Sequence, residues 1–380
     1  MVGQTHCLSF SLLCRSEVEV IQDIVKVTFN KLSHTFLVDT KGLVGINSRV
    51  EKLKSHLAIE SNDVRIIGIW GLGGMGKTTL ARVVYNMFSN QFDACGFIDN
   101  VRENSKKEGL LWLQNEVLKK LLIYRDIDVQ DTNSGVLMLK NRLRHKKILL
   151  VLDDVNELEQ LNKLMGAHDW VGLGSRVIIT TRDKRLLLAL KVDGIYEVAG
   201  LNYDEAFHLF TLKAFEKEHP PKDYQELCKA FVHYADGLPL AIEVLGSSLI
   251  NRSIDEWESE LDKLEKIPER KIFDVLEISY NGLKETDQKI FTNIACFLNR
   301  ENQETIIEIL DYLELFPKIG LRVLVDKSLI KLHWNHVWMH DLLQKMGRDI
   351  VRREYADDPG KRSRLWSYRD IDSVLTKNSV

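Results

Sequence analysis

Between residues 64 and 198 the chain alternates short apolar runs with segments whose apolar residues recur every three or four positions. The runs predict strands that are buried on both faces, and the periodic segments predict amphipathic helices. The predicted strands are residues 65–70, 96–101, 147–152, 176–180 and 195–198. Because strands that alternate with helices form a parallel sheet with helices on both sides, we predict an α/β domain over residues 36–198.

After residue 198 the strand pattern stops, and helical spacing continues to residue 279. Ser253 followed by Glu256 is a capping-box signature at the start of one of these helices. Three further helical segments, two short strands and a last helix then follow, which is the order of a winged-helix domain. We therefore predict a helical domain at 199–280, a winged-helix domain at 281–356 and a C-terminal linker at 357–380. Residues 1–35 are predicted to be an N-terminal segment with one amphipathic helix at 17–32.

Composition narrows the class of protein. The 380 residues are 44% hydrophobic and 28% charged, as in soluble globular proteins. The net charge of −3 gives no electrostatic case for nucleic acid or an anionic membrane, and no apolar run approaches the ~20 residues of a membrane span. Five separated cysteines without a C-x-x-C pair argue against a zinc site or a disulfide framework. We expect a cytoplasmic or nucleocytoplasmic protein without membrane contact.

The clearest motif lies between the first predicted strand and the following helix. Gly71, Gly76, Lys77 and Thr78 have the spacing G-x-x-x-x-G-K-[ST]. Glycines allow a backbone to wrap around a phosphate, and the helix that begins there directs its N–H groups at the anion. The lysine would reach the terminal phosphates and the threonine would hold Mg²⁺. The pattern therefore predicts a nucleotide-binding P-loop NTPase fold.

Two aspartates follow the third predicted strand. A buried strand that ends in Asp153 and Asp154 suits a magnesium site beside the phosphates, with Asp153 as the metal ligand. Asp154 could act as a base towards an attacking water. One strand further along the chain, Arg182 is delivered to the same edge of the sheet, where a guanidinium could sense a terminal phosphate.

His340 lies at the junction between the predicted hairpin and the last helix. Beside a helix N-terminus it could donate to an anion, but its position favours a structural hydrogen-bonding role, with Asp341 as the expected N-cap of the helix. Residues 237–241, GLPLA, form a junction between two predicted helices and carry no chemistry by themselves.

Taken in order, the stretches GLGGMGKTT, LLVLDDV, GSRVIITTRD, GLPLA and MHD resemble the NB-ARC module of plant intracellular immune receptors of the nucleotide-binding, leucine-rich-repeat class. The resemblance covers residues 36–373. FIDNVRE and Asn156 resemble the branch whose N-terminal domain is a TIR domain. No TIR domain or leucine-rich repeat is recognised in this sequence, so we expect neither NAD cleavage nor repeat-based sensing from it.

The resemblance implies an ADP or ATP site with Mg²⁺ between the three domains. Phosphate contacts would come from the loop, Arg182 would read the nucleotide state, and His340 would touch the β phosphate of ADP. Val44, Gly45 and Arg49 would lie over the adenine, with Pro239 packing nearby. The implied loop contacts are Gly71, Gly73, Gly74, Met75, Gly76, Lys77, Thr78 and Thr79.

Several functions fit these residues. The leading hypothesis is a molecular switch in plant defence signalling, in which exchange of ADP for ATP rearranges the domains and the chain associates with itself or with full-length receptors. An alternative is an NTPase whose turnover is the output, at most a slow P-loop ATPase. Another is a nucleotide-binding remnant without signalling activity. A transcription regulator is disfavoured, because the predicted wing at 333–336 lacks lysine and arginine.

Overall fold

The computed structural model describes residues 42–122 and 129–377. The predicted helix at 17–32 and the rest of the N-terminal segment lie outside these residues. The predicted fold class is confirmed: a parallel sheet with helices on both faces is followed by a helical unit and a winged-helix unit.

The sheet contains five parallel strands in the order β2-β3-β4-β1-β5. They are β1 (Arg65–Trp70), β2 (Ala94–Ile98), β3 (Ile148–Val155), β4 (Arg176–Thr181) and β5 (Gly194–Glu197). Alternate residues of β3 enter different cores: Leu149 and Val151 pack with one set of helices, and Leu150 and Leu152 with the other. Burial on both faces explains why these strands read as continuous apolar runs.

Seven helices of the described chain cover the sheet. They are α1 (Ile46–Leu57), α2 (Lys77–Phe88), α3 (Val101–Lys107), α4 (Leu110–Leu121), α5 (Thr132–Leu143), α6 (Leu158–Leu164) and α7 (Lys184–Leu190). The helix α3 was not predicted from the sequence. The second strand, predicted at 96–101, ends earlier in the structure, at Ile98. Only Val101 of α3 is buried, so this short helix has no apolar periodicity to reveal it.

The helical unit follows β5 and packs around a group of aromatic rings. Its helices are α8 (Tyr203–Phe215), α9 (Gln225–Ala235), α10 (Pro239–Ser248), α11 (Ile254–Lys266) and α12 (Arg270–Asn281). Trp257 is fully buried and contacts the rings of Phe210, Phe215 and Phe231. The predicted capping box of Ser253 and Glu256 is present at the start of α11.

The winged-helix unit has the predicted order. Its elements are α13 (Glu285–Asn293), a π-helical turn (Ile294–Leu298), α14 (Gln303–Tyr312), α15 (Pro317–Asp326), β6 (Lys331–His333), β7 (His336–Trp338) and α16 (Asp341–Glu354). Trp334 and Asn335 both have positive φ, 50° and 62°, as a two-residue hairpin turn requires. The predicted N-cap of α16 is wrong by one residue: His340 is the N-cap, and its ring accepts from the N–H of Leu342.

The segment predicted to be a C-terminal linker contains a further helix, α17 (Tyr368–Lys377). Among residues 42–122 and 129–377, no helix is both long and apolar enough to span a bilayer.

Polar contacts join the winged-helix unit to the carboxyl edge of the sheet. The indole N–H of Trp70 donates to the carbonyl of Asp326 at 3.1 Å, in a buried position. Lys327 forms an ion pair with Asp183 at 3.0 Å. These contacts hold the third unit against the edge at which the glycine loop lies.

Candidate functional site

The glycine loop leaves β1 and enters α2 through a backbone that only glycine adopts easily. Gly74 and Gly76 have φ values of 81° and 83°, in the left-handed region. A Cβ on Gly74 would lie 2.8 Å from the Cβ of Leu240 in α10. The N–H of Leu240 also donates to the carbonyl of Gly74, at 3.2 Å. The loop is therefore in direct contact with the helical unit.

Lys77, the first residue of α2, is buried beneath this loop. Its ammonium donates to the carbonyls of Gly71 and Leu72, both at 2.8 Å. Burial, together with the nearby guanidinium of Arg182, lowers the pKa of Lys77 to about 7. A bound phosphate would favour the charged form, because an opposite charge close to an amine raises its pKa.

Asp153 and Thr78 form the oxygen-rich part of the site. The hydroxyls of Thr78 and Thr180 both donate to one carboxylate oxygen of Asp153, at 2.8 and 2.7 Å. Asp153 is 1% exposed, and burial raises its pKa. In the part of the chain that the structure describes, no group of three or more His, Cys, Asp or Glu residues could hold a metal. A hydroxyl and one carboxylate do fit Mg²⁺, which usually takes one or two protein carboxylates and completes its shell with phosphates and water.

Asp154 has a different environment from its neighbour. It adopts a φ of 56°, and its carboxylate is paired with Arg102 at 2.7 Å and with Arg182 at 3.5 Å. Burial alone would raise the pKa of Asp154, but the two guanidinium groups outweigh it and hold the pKa below its ordinary value. A carboxylate with a depressed pKa and two cationic partners is a weak base.

Arg182 links the sheet to the helical unit. One of its terminal nitrogens donates to the carbonyl of Val275 in α12, at 2.7 Å. The same nitrogen lies so close to Gly73 that a Cβ there would be 2.5 Å away. Only 18% of the Arg182 side chain is exposed, so its charge lies in a poorly solvated position next to the loop, and this burial lowers its pKa.

Arg49, in the first turn of α1, holds the start of this helix to the start of α8. Its guanidinium donates to both carboxylate oxygens of Glu205, at 3.0 and 2.9 Å. It also donates to the carbonyls of Gly45, at 2.7 Å, and Gly200, at 2.9 Å. Arg49 is thus committed to protein partners, and a role in positioning the surrounding segment fits its contacts better than a direct ligand contact.

A cavity of about 450 Å³ lies between the loop, the start of α1 and the helical unit. Most of the sequence-predicted residues line it: Val44, Arg49, Gly74, Met75, Gly76, Lys77, Thr78, Thr79, Asp153, Asp154, Arg182 and Pro239. Gly45, Gly71, Gly73 and His340 are not on its wall. Sequence reasoning missed other lining residues, among them Asn100, Arg102, Leu240, Glu243, Val275 and Ile278. The FIDNVRE stretch was the signal for Arg102, whereas nothing in the sequence marked the residues from α12.

His340 contacts the helical unit instead of the cavity. One ring nitrogen lies 3.0 Å from the carbonyl oxygen of Asp236, and the other accepts from the start of α16. Asp236 caps α9 and is followed by the GLPLA stretch, whose Leu240 contacts the glycine loop. The histidine is therefore connected to the loop through this stretch.

A glycine loop, a buried lysine and a strand-end aspartate at the carboxyl edge of a parallel sheet define a P-loop nucleotide-binding fold. Among solved structures, the Walker-type ATPase PABY2304 of Pyrococcus abyssi is similar, with a TM-score of 0.56 at 16% identity over 79% of this chain and 95% of that one. At this identity the likeness shows the fold alone.

The family models identify the class more closely. Residues 46–220 match the NB-ARC domain, and residues 284–355 match the winged-helix domain described as Disease resistance protein Roq1-like. The chain is 44% identical over 363 residues to disease resistance protein RUN1 of Vitis rotundifolia, and 41% identical over 373 residues to TMV resistance protein N of Nicotiana glutinosa. The alignments cover 95% and 96% of this chain, but only 27% and 32% of those relatives. The chain carries the nucleotide-binding module of plant disease resistance proteins, and the resemblance indicated by its motifs is confirmed.

Proposed function

We propose that the chain is the ADP/ATP-controlled switch of a plant intracellular immune receptor and acts in the cytoplasm in defence signalling. The observation that carries the proposal is the composition of the cavity wall. The loop and strand ends supply the charged side, and α10 and α12 of the helical unit supply the opposite side. A ligand in this cavity would contact two units at once, so its identity can control their arrangement.

The chemistry of the wall suits an adenine nucleotide. Leu43, Val44 and Pro239 offer an apolar surface for a base, and Lys77 with the loop N–H groups offers a cradle for phosphates. Thr78 and Asp153 would hold Mg²⁺, which would neutralise phosphate charge. The chain's own residues then orient the phosphates against the loop.

Arg182 is the residue that we expect to couple the nucleotide to the arrangement of the units. In the structure its guanidinium joins Asp154 to the carbonyl of Val275. A terminal phosphate near Arg182 would compete for this guanidinium and weaken the contact with α12. His340 would contribute through Asp236 and the GLPLA stretch, or by a direct phosphate contact in a rearranged state. A complete shift between two states needs differential binding of about 5.5 kcal/mol.

Turnover as the output is the weaker alternative. It needs a base, and the candidate, Asp154, is held by Arg102 and Arg182 and has a lowered pKa. We therefore propose at most slow hydrolysis. We expect the exchanged form to associate with itself or with full-length receptors, and we expect no nucleic-acid or membrane partner.

Nucleotide content after purification tests the proposal. We expect wild type to retain ADP, Lys77→Ala to lose it, and Lys54→Ala, an exposed lysine in α1, to retain it. Wild type without nucleotide, or Lys77→Ala with full nucleotide, would overturn the assignment. For the switch itself, Arg182→Ala should alter the hydrodynamic radius of the ADP form towards that of the ATP form. An unchanged radius in both nucleotides for wild type and variant would contradict the coupling.

A further inference from the structure

A second cavity adjoins the nucleotide cavity and shares with it Arg102, Asp154, Arg182 and Ile278. Its volume is about 370 Å³, and none of the residues from Gly71 to Thr79 lines it. Its wall comes from all three units: the strand ends and α3, the last turn of α12, and Lys327 just after α15. We call it the junction cavity.

The wall of the junction cavity is electropositive. It contains four cationic side chains and two carboxylates, which leaves two positive charges in excess: the cations are Arg102, Lys106, Arg182 and Lys327, and the carboxylates are Asp154 and Asp183. Each carboxylate is already shared between two cations. Asp154 faces Arg102 and Arg182, while Asp183 faces Lys327 at 3.0 Å and Arg185 at 2.7 Å. Arg102 also meets the exposed carboxylate of Glu103 at 3.4 Å, but Glu103 does not line the cavity, so the groups that face the cavity keep an excess of positive charge.

Two groups on the same wall have no partner within residues 42–122 and 129–377. Lys106 is exposed and makes no hydrogen bond or ion pair there. Ser279 is only 6% exposed, and its buried hydroxyl has no hydrogen-bond partner. A buried hydroxyl without a partner costs free energy, which a ligand that accepts its hydrogen bond would recover.

We propose that the junction cavity binds inorganic phosphate as its dianion, at a site separate from the nucleotide. A dianion matches the excess charge, and its oxygens accept hydrogen bonds from ammonium, guanidinium and hydroxyl groups alike. The phosphate comes either from solution or from a nucleotide hydrolysed in the adjoining cavity, with which the junction cavity shares Arg102, Asp154 and Arg182. Because its wall comes from three units, a bound phosphate stabilises the arrangement of these units that the structure shows.

Equilibrium dialysis of radiolabelled phosphate against the full chain saturated with ADP tests this site. ADP occupies the glycine loop, so phosphate cannot bind there. We expect one saturable site per chain, and Lys106→Gln should weaken it about tenfold, the factor for one charge-assisted hydrogen bond. The matched control is Lys107→Gln, since Lys107 is also exposed, pairs with Glu108 at 3.3 Å and does not line the cavity. Ser279→Ala is a second variant that removes the unpartnered hydroxyl and leaves every charge in place.

Three measurements decide whether the junction cavity binds phosphate and where the phosphate comes from. Non-saturable phosphate binding, or equal affinities in Lys106→Gln and Lys107→Gln, would overturn the proposal. Bound ADP, measured in the same samples, distinguishes failure of this site from failure of the nucleotide site. A single turnover of ATP labelled on its terminal phosphate identifies the source of the bound phosphate. If wild type retains the labelled phosphate after hydrolysis and Lys106→Gln releases it, the site binds the hydrolysis product. If only added phosphate binds, the site is filled from solution.

Discussion

The ion pair between Arg49 and Glu205 is the contact between α1 and the helical unit whose strength is most directly testable. Both side chains are largely buried, with 14% and 19% exposed, and the pairing is bidentate. Bidentate, charge-assisted hydrogen bonds between poorly solvated partners are stronger than exposed ion pairs, which contribute about 0.2–1 kcal/mol. We expect a coupling free energy of about 2 kcal/mol, after allowance for the remaining exposure.

A double-mutant cycle isolates this coupling. Glu205→Gln keeps an acceptor for the N–H of Asn202, so the capping box at the start of α8 survives while the charge is lost. Arg49→Gln removes the guanidinium, and with it both the ion pair and the hydrogen bonds to the carbonyls of Gly45 and Gly200. Its total cost in the free energy of unfolding should therefore be larger, about 2–4 kcal/mol. Urea-induced unfolding of wild type, both single variants and the double variant gives the coupling.

Lys229 and Glu226 provide the control pair. They are 2.7 Å apart within α9, but 51% and 83% exposed. The same cycle on this pair should give about 0.3–0.5 kcal/mol, as for other pairs on a helix surface. If the coupling of Arg49 with Glu205 is as small as that of the control pair, the positioning role assigned to Arg49 is wrong.

Three further predictions concern Glu205, Gly74 and Trp257. The hydrogen bond from Arg49 lowers the pKa of Glu205, and burial opposes this shift without outweighing it. The contribution of the pair to stability should therefore be complete above the unfolded pKa of about 4.3 and should disappear as the pH falls through the lower folded pKa. In an acid titration of stability, Glu205→Gln should lack this loss. Gly74→Ala should lower both the Tm and the amount of bound nucleotide, because φ is 81° and the new Cβ meets α10. Gly109→Ala, with φ 86° and open space outside the cavity, should cost only the backbone strain of about 1–3 kcal/mol and leave the bound nucleotide unchanged. Trp257→Ala should destabilise the helical unit by about 3–5 kcal/mol in urea unfolding, since the side chain is fully buried, and a loss below 1 kcal/mol would contradict its central position.

Most of the fold could be predicted because its elements carry local signals. The strands of the sheet are apolar runs, the capping box of Ser253 marks α11, and a two-residue turn joins β6 to β7. The exceptions also have local causes: α3 buries only Val101, and α17 lies in a polar tail whose buried residue is Val374. Where few apolar residues are buried, periodicity carries little information.

The candidate site could be predicted only in part. Lys77 and Thr78 could be predicted because a phosphate cradle requires fixed spacing along the chain, and Asp153 because it ends a buried strand; the structure brings the three to one cavity. The partners of Arg182 and Arg49 were not found. Val275 offers a backbone carbonyl, a group that every residue has, and the pairing of Arg49 with Glu205 joins positions far apart in sequence.

The sequence by itself determined the class of fold, the order of the three units and the nucleotide motif, because each of these depends on residue types at short, regular spacing. The tertiary structure decided which side chains meet: Arg182 contacts the carbonyl of Val275, His340 contacts Asp236, and four cations gather around the junction cavity. Such contacts depend on how the units pack against one another, and the local pattern of a chain does not encode the distance between two residues that are far apart along it.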